Sequence, residues 1–173
     1  ENSKPYSESD KTNPIGLYGL SKRKGEMHIL SSSVNGIIIR TSWLYSTFGN
    51  NFVKNILKLS HKRKSLNIVN DQIGTPTYAG DLASSCLEII KKNNWDNNPE
   101  LFHYSNMGMC SWYDFAKEIF KIKNTENEIY PVNSNQFISN VKRPKFSVLC
   151  KRKIIKKYDL VIPDWKTSLK NCL

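Results

Sequence analysis

Apolar side chains along this chain recur with two different periods, in alternating segments. A spacing of three to four residues predicts helices at residues 13–33, 50–62, 79–92, after Ser111, at 151–158 and at 165–172. Short β-branched or apolar runs predict strands at residues 36–40, 66–69, 101–104 and 129–132. Helices that alternate with short strands are typical of α/β architecture, and we predict that fold class.

The first predicted helix begins with Asn13 as its N-cap and Pro14 at its first helical position. Its apolar positions are Leu17, Leu20, Met27 and Leu30. It also contains Gly16, Gly19 and Gly25. Each glycine costs about 1 kcal/mol of helix propensity relative to alanine. Three such costs predict that another group approaches the helix backbone closely.

The apolar stripes of three later helices predict which side chains face the core. They are Phe52, Ile56 and Leu59 in the second helix, Leu82, Cys86, Ile89 and Ile90 in the third, and Phe115, Ile119 and Phe120 in the fourth. Ser111 is expected to cap the fourth helix, with Asp114 three residues later as a variant capping box.

The composition narrows the class of protein. The 173 residues are 39% hydrophobic and 11% aromatic, which is ordinary for a globular protein, and no run of about 18 apolar residues predicts a membrane span. The net charge of +11 indicates either a phosphate-rich partner or lysines spread over solvated faces. The basic residues are scattered along the chain, which favours the second interpretation.

Four cysteines occur, with no short spacing between them: Cys86, Cys110, Cys150 and Cys172. No pair forms a CxxC motif and no histidine completes a zinc pattern, so no metal site is predicted. Reduced thiols and a cytoplasmic location are expected.

Tyr18 and Lys22 are the residues whose spacing indicates chemistry. They lie four residues apart on a predicted helix, so their side chains share one face. A phenol is a poor acid–base group near neutral pH, but a nearby ammonium favours its ionised form. Such a pair can protonate a carbonyl oxygen as a hydride reaches the carbon. Alone, the spacing is a common one, and a solvated helical pair is the ordinary interpretation.

Further motifs place the pair in context. The chain contains YGLSK at 18–22, RTSWLY at 40–45, NNFV at 50–53, DQIGTPTY at 71–78, SWYDFA at 111–116, RPKFSVL at 143–149 and DWKTSL at 164–169. In this order they resemble the extended short-chain dehydrogenases, and among them the dTDP-4-dehydrorhamnose reductases. The resemblance extends over essentially the whole chain.

The resemblance implies a reaction and a cofactor. Members of this family reduce dTDP-4-dehydro-L-rhamnose to dTDP-L-rhamnose with NADPH or NADH. By this likeness, Tyr18 protonates the ketone oxygen, and Lys22 assists it and holds the ribose of the cofactor. The sequence does not distinguish NADPH from NADH.

The resemblance also implies substrate-binding positions, each with a structural alternative. Trp43 matches a position against the sugar, or packs in the core. Asn51 matches a position near the diphosphate, or caps a helix. Gln72 and Thr77 line the nucleotide pocket, or form a structural turn. Arg143 offers a bidentate fork to phosphate, or lies on a solvated face.

One departure from the family pattern concerns the cofactor. No glycine-rich phosphate loop occurs, and the third catalytic Ser or Thr upstream of Tyr18 is absent. We therefore expect a C-terminal segment of a longer chain, unable to turn over substrate by itself. Residues 1–65 would be the C-terminal part of the NAD(P)-binding Rossmann-like domain, a partial parallel sheet with the helix of Tyr18 and Lys22. Residues 66–173 would be mainly a small α/β substrate-binding domain, with some elements packing back on the Rossmann part.

Three other functions are weighed against this one. They are a non-catalytic scaffold relative, a reductase or epimerase of another nucleotide sugar, and a basic nucleic-acid-binding module. The retained Tyr18, Lys22 and Trp43 disfavour the first, and no nucleic-acid-binding motif supports the last. The expected partner is a dTDP-sugar, with no nucleic acid and no membrane. Formation of a homodimer is left open.

Overall fold

Helices and strands alternate through the part of the chain that the computed structural model describes, residues 4–94, 98–136 and 143–173. The helices are α1 (Leu17–Leu30), α2 (Phe52–Ser60), α3 (Ala79–Lys92), α4 (Trp112–Lys123), α5 (Arg152–Tyr158) and α6 (Trp165–Cys172), with a 3₁₀ turn at Ser134–Gln136. The strands are β1 (Ile37–Arg40), β2 (Leu44–Tyr45), β3 (Ser65–Val69), β4 (Ile73–Gly74), β5 (Thr77–Tyr78), β6 (Glu100–His103), β7 (Cys110–Ser111) and β8 (Glu128–Val132).

Most strand pairs are parallel and join segments that are distant in the sequence. β1 pairs with β6, β2 with β5 and β3 with β8, all in parallel, whereas β4 pairs with β7 antiparallel. Parallel neighbours need a crossover connection, and α3 lies between β1 and β6 in the chain. The predicted α/β class is confirmed.

The described residues form two hydrophobic cores. One contains Tyr45, Val53, Ile56, Leu66, Ile68, Phe115, Ile119, Trp165 and Leu169. The other contains Ile89, Phe102, Tyr104, Ile154, Tyr158, Leu160 and Ile162, with Ile37, Ile39 and Leu82 packed against it. The segments that build the two cores interleave along the chain. The division into residues 1–65 and 66–173 stays a prediction.

The predicted helix faces are largely confirmed. Phe115, Ile119 and Phe120 of α4 are buried, and the capping box forms: Asp114 N–H donates to Ser111 Oγ at 3.0 Å, and Ser111 N–H donates to Asp114 Oδ2 at 3.1 Å. Two positions were predicted wrongly. Leu59 and Ile90 are exposed, because each lies at the margin of its apolar stripe while Ile56 and Ile89 fill the core.

The start of α1 also differs from the prediction. The helix begins at Leu17 with Gly16 as an extended N-cap (φ −156°), so Asn13 and Pro14 precede it. Pro14 instead packs against the helix, because a Cβ on Gly19 would lie 3.1 Å from Pro14 Cβ. The expected close approach therefore holds at Gly19, whereas a Cβ on Gly16 or Gly25 would meet open space. Within the described structure, α1 has no buried residue.

The described residues contain neither a membrane-spanning helix nor a cluster of metal-ligating side chains. Among their helices, none combines the length and apolar character that crossing a bilayer requires. Nor do three or more His, Cys, Asp or Glu side chains converge there in an arrangement that could hold a metal ion. All four cysteines carry free thiols, and burial raises the pKa of Cys110.

Candidate functional site

Tyr18 and Lys22 meet on the exposed side of α1. The Lys22 ammonium lies 5.4 Å from the centroid of the Tyr18 ring, within the range of a cation–π contact. Tyr18 is 77% exposed. The Ser21 hydroxyl donates to the Tyr18 carbonyl at 2.8 Å, so its proton is used in a hydrogen bond within the helix. The structure thus brings the two predicted catalytic residues together with the phenol accessible.

A bidentate ion pair fastens α1 to the end of β1. Arg40 Nε and Nη2 each donate to one carboxylate oxygen of Glu26, both at 2.7 Å. The side chains are 20% and 14% exposed for Arg40 and Glu26, so the pair is largely withdrawn from solvent. The hydrogen bond from Arg40 lowers the pKa of Glu26, and the same bond raises the pKa of Arg40. Sequence analysis assigned no role to Glu26.

His103 extends this network into the interior. Arg40 Nη1 lies 3.3 Å from His103 Nε2, and Tyr6 carbonyl oxygen lies 3.0 Å from Nδ1. An arginine can only donate, so Nε2 accepts and Nδ1 carries the proton that it donates to Tyr6. Glu8 accepts from the His103 backbone N–H at 2.9 Å. Burial lowers the pKa of His103, and Arg40 acts in the same direction, while Glu8, the Tyr6 carbonyl and Glu26 oppose it.

Trp43 lies three residues after Arg40, in a left-handed backbone conformation with φ of 47°. Its indole stacks on that of Trp112, with ring centroids 3.5 Å apart and planes 8° from parallel. Phe52 contacts Trp112 in turn, with centroids 4.6 Å apart. Trp43 is half-buried, and Trp112 is the aromatic partner that sequence reasoning did not predict.

The segment that contains Gln72 and Thr77, for which a structural turn was one interpretation, forms two short strands beside Trp43. Thr77 N–H donates to the Trp43 carbonyl at 3.1 Å, and β5 pairs with β2. Thr77 is completely buried, and its hydroxyl finds no hydrogen-bond partner among the described residues. Gln72 is half-buried. Strands of two residues are too short to give a periodic signal, which is why the sequence pattern missed them.

Asn51 uses its side-chain amide locally. Its oxygen accepts from Lys54 N–H at 3.1 Å, which makes it the N-cap of α2. Its Nδ2 group donates to the carbonyls of Ser46 at 2.8 Å and Phe48 at 3.3 Å. Of the two interpretations of Asn51, this geometry favours the helix cap, because a phosphate would have to displace one of these bonds.

Arg143 is exposed and follows residues 137–142, which lie outside the described residues. The segment after it runs along β4: Ile73 N–H donates to the Lys145 carbonyl at 2.7 Å, and Ser147 N–H donates to the Ile73 carbonyl at 2.9 Å. This pairing carries Arg143 to the same region as Gln72.

The predicted site residues therefore fall into three groups. Trp43, Gln72, Thr77 and Arg143 lie on adjacent segments, Tyr18 and Lys22 lie on α1, and Asn51 caps α2. A polar groove of about 550 Å³, lined by residues such as Asp114, Lys117, Asp164 and Lys166, contains none of them.

Comparisons with known proteins agree on one family. The family described as "RmlD substrate binding domain" matches residues 1–173. The spore coat polysaccharide biosynthesis protein SpsK of Bacillus subtilis is 38% identical over 169 residues, covering 98% of this chain and 58% of SpsK. The chain thus spans somewhat more than half the length of this curated relative.

Solved structures give the same result. A dTDP-4-dehydrorhamnose reductase ortholog from Clostridium acetobutylicum superposes with a TM-score of 0.90 at 37% identity, covering 99% of this chain and 60% of that one. The Bacillus anthracis dTDP-4-dehydrorhamnose reductase, solved in complex with NADP, has a TM-score of 0.88 at 36% identity, covering 97% of this chain and 58% of that one.

Proposed function

The chain belongs to the RmlD substrate-binding-domain family, and on that premise we propose that it supplies the acid–base pair and the sugar-nucleotide site of an NAD(P)H-dependent reductase. The proposed substrate is dTDP-4-dehydro-L-rhamnose and the product dTDP-L-rhamnose. The observation that carries the proposal is the exposed phenol of Tyr18 with the Lys22 ammonium 5.4 Å from its ring centroid.

In this proposal Tyr18 donates its hydroxyl proton to the ketone oxygen, which becomes the 4-hydroxyl of the product. A nicotinamide cofactor, when bound, would supply the hydride that the ketone carbon receives. Lys22 stabilises the negative charge left on the phenolate oxygen and is exposed enough to donate to ribose hydroxyls as well. A proton from solvent then restores the Tyr18 hydroxyl.

The sugar nucleotide is proposed to bind against Trp43, Gln72 and Arg143, with its ketone oxygen reaching the Tyr18 hydroxyl. Trp43 offers an aromatic face to the deoxysugar, and exposed Arg143 offers its fork to the diphosphate. Gln72 has a half-buried amide in the same region, whereas buried Thr77 supports the backbone that holds Trp43. Asn51 acts first as the cap of α2, and its contribution to diphosphate binding is secondary.

The test uses a chimera that supplies a complete dinucleotide site. The part of the Bacillus anthracis reductase that has no counterpart in this chain is fused to it, and oxidation of NADPH is followed with dTDP-4-dehydrorhamnose. We expect turnover, and Tyr18→Phe should lower kcat about 10²- to 10⁴-fold, the usual value of a general acid. Tyr130→Phe, on exposed Tyr130 of β8, is the matched control and should leave kcat unchanged.

Three other outcomes would decide against parts of the proposal. A chimera that binds NADPH but reduces no ketone would favour the scaffold alternative. Faster turnover of a different nucleotide-linked ketosugar would identify that sugar as the substrate instead. Robust turnover by the 173-residue chain alone would contradict the expectation that it lacks essential parts of the cofactor site.

A cytoplasmic location and a homodimer complete the proposal. Fractionation of the host cell and sedimentation of the chimera test them. Recovery of the protein in the membrane fraction would contradict the cytoplasmic location. A strictly monomeric species would contradict the homodimer.

A further inference from the structure

The backbone of Trp43 is in a conformation that a large side chain rarely adopts. Its φ of 47° lies in the left-handed region, where steric conflict between Cβ and the backbone disfavours residues other than glycine. Such strain persists when the surroundings over-determine it, and it concentrates at ligand-binding positions. The contacts of Trp43 should therefore explain what keeps its backbone in this conformation.

The backbone of this segment is fixed from the β5 side. Thr77 N–H donates to the Trp43 carbonyl at 3.1 Å. The Ser42 hydroxyl donates to the Thr75 carbonyl, also at 3.1 Å. Two hydrogen bonds from consecutive residues to one neighbouring segment leave the backbone at Trp43 little freedom.

The Trp43 indole packs against Gly74 and against the indole of Trp112. A Cβ built on Gly74 would lie 2.4 Å from Trp43 Cε2 and 2.7 Å from Cζ2 and Nε1, so only glycine leaves room for the ring. The Trp112 ring covers one face of Trp43 at 3.5 Å. Phe52 in turn packs against Trp112. Rotation of the Trp43 ring would meet one of these groups.

We propose that Trp112 is a positioning residue that sets the orientation of the Trp43 indole and so pre-forms the aromatic wall of the sugar subsite, with Gly74 leaving the space for that ring. This inference rests on the proposed function, which assigns Trp43 to the sugar. A wall fixed before binding spares the ligand the cost of ordering a flexible aromatic side chain. Trp112 does not need to touch the substrate to have this effect.

The orientation can be measured without any ligand. Two nearly parallel indoles in contact couple their electronic transitions, which gives a bisignate signal in circular dichroism. The wild-type chain should show that signal, and Trp112→Leu, Trp112→Phe and Trp43→Phe should each lose it. Trp165→Phe is the matched control and should keep it, because Trp165 packs edge-on against Phe115 and takes no part in the stack.

The functional consequence is measured as the difference in affinity between dTDP-L-rhamnose and dTDP, which is the contribution of the sugar to binding. Binding of dTDP and of dTDP-L-rhamnose is compared by calorimetry for each variant. Trp112→Leu should weaken dTDP-L-rhamnose binding about tenfold, equivalent to about 1.4 kcal/mol, with dTDP binding changed less than about twofold. Trp112→Phe, which keeps a flat aromatic face, should restore most of the loss.

Gly74→Ala is a second variant that should change the orientation of the Trp43 indole. Its methyl group would occupy the space of the Trp43 ring, so both the bisignate signal and the added affinity of the sugar should fall, even if Trp112→Leu fails to fold. A wild-type chain without the signal, or a Trp112→Leu variant that folds and keeps the full sugar contribution, would overturn the proposal. If wild type shows the signal but binds dTDP-L-rhamnose no better than dTDP, the proposed sugar site fails while the fixed orientation stands.

Discussion

Asn51 illustrates how a single side chain divides its hydrogen bonds between the fold and a ligand. In the structure, the amide oxygen caps α2 and the amide nitrogen donates to two carbonyls of the preceding turn. Amide groups that are already saturated gain little by turning toward a phosphate, since each new bond replaces an existing one. At this scale, local geometry determines which role dominates.

Replacement of Asn51 should therefore lower the stability of the protein more than its affinity for the nucleotide. Asn51→Ala is expected to lower the free energy of unfolding by about 1 kcal/mol, the usual value of an N-cap, measured by urea denaturation. Asn51→Asp keeps a capping oxygen and serves as the control, with a smaller loss. An unchanged urea midpoint in Asn51→Ala, together with weakened dTDP binding, would instead support the diphosphate role.

The element that carries the proposed chemistry, α1, is held unlike the other helices. It has no buried residue in the described structure, and Leu17 and Met27 are 86% and 54% exposed. Its attachment to β1 is the ion pair between Glu26 and Arg40. Because hydrophobic burial contributes little here, this pair should control how firmly the helix is docked.

Breaking the pair should loosen α1. Glu26→Gln is expected to cost about 2 kcal/mol, since it removes a bidentate, charge-assisted contact and leaves Arg40 partly desolvated. Hydrogen exchange across residues 17–30 should accelerate more than in the rest of the chain. The matched control is Glu88→Gln, which removes an exposed pair with Lys92 (3.6 Å) and should change little. Equal effects of the two variants on α1 would contradict this account.

At the scale of the whole molecule, the buried side chain of Asn106 bonds to elements of both cores. Asn106 is fully buried; it accepts from Tyr78 N–H at 2.8 Å and donates to Asp81 at 2.7 Å and Ser168 at 2.8 Å. These partners belong to the start of α3 and to α6, which pack in different cores. A buried amide whose hydrogen bonds are made on several sides ties these elements together.

Asn106→Ala should destabilise the whole molecule. It leaves the Asp81 carboxylate and the Tyr78 N–H short of a partner, and we expect a loss of about 3 kcal/mol in the free energy of unfolding. Asn171→Ala, at an exposed position in α6, is the control and should stay within about 0.5 kcal/mol of wild type. Chemical denaturation followed by circular dichroism measures both. A comparable stability of the two variants would refute the linking role.

His103 predicts how stability depends on pH. Burial, aided by Arg40, lowers its pKa, so the folded protein favours the neutral ring while the unfolded chain takes up a proton at the ordinary pKa. The free energy of unfolding should therefore decline as the pH falls below about 6.5. At lower pH, protonation of Glu26, whose folded pKa is also lowered, should remove more stability.

The comparison that isolates His103 is His103→Gln. This variant should be less stable at neutral pH but show a flatter decline between about pH 7 and 5, because no imidazole remains to be protonated. Urea denaturation at several pH values provides the measurement. An equally steep decline in the variant would assign the effect to other groups.

Much of the fold was determined by the sequence through local and periodic signals. The apolar period set the position of α3, the capping box set the start of α4, and β-branched runs marked β1 and β3. The four-residue spacing also placed Tyr18 and Lys22 on one face of α1, because helix geometry fixes that relation without help from the rest of the chain. The motif order, read as a resemblance, indicated the family that the comparisons then established.

Only the tertiary structure decided the arrangements that join distant segments. The stack of Trp43 on Trp112, the space left by Gly74 and the contact of Arg40 with both Glu26 and His103 join residues from different elements. No period records such contacts, because each depends on how strands pair over long stretches of chain. The same reason explains the missed β4 and β5, which exist only through their partners β7 and β2.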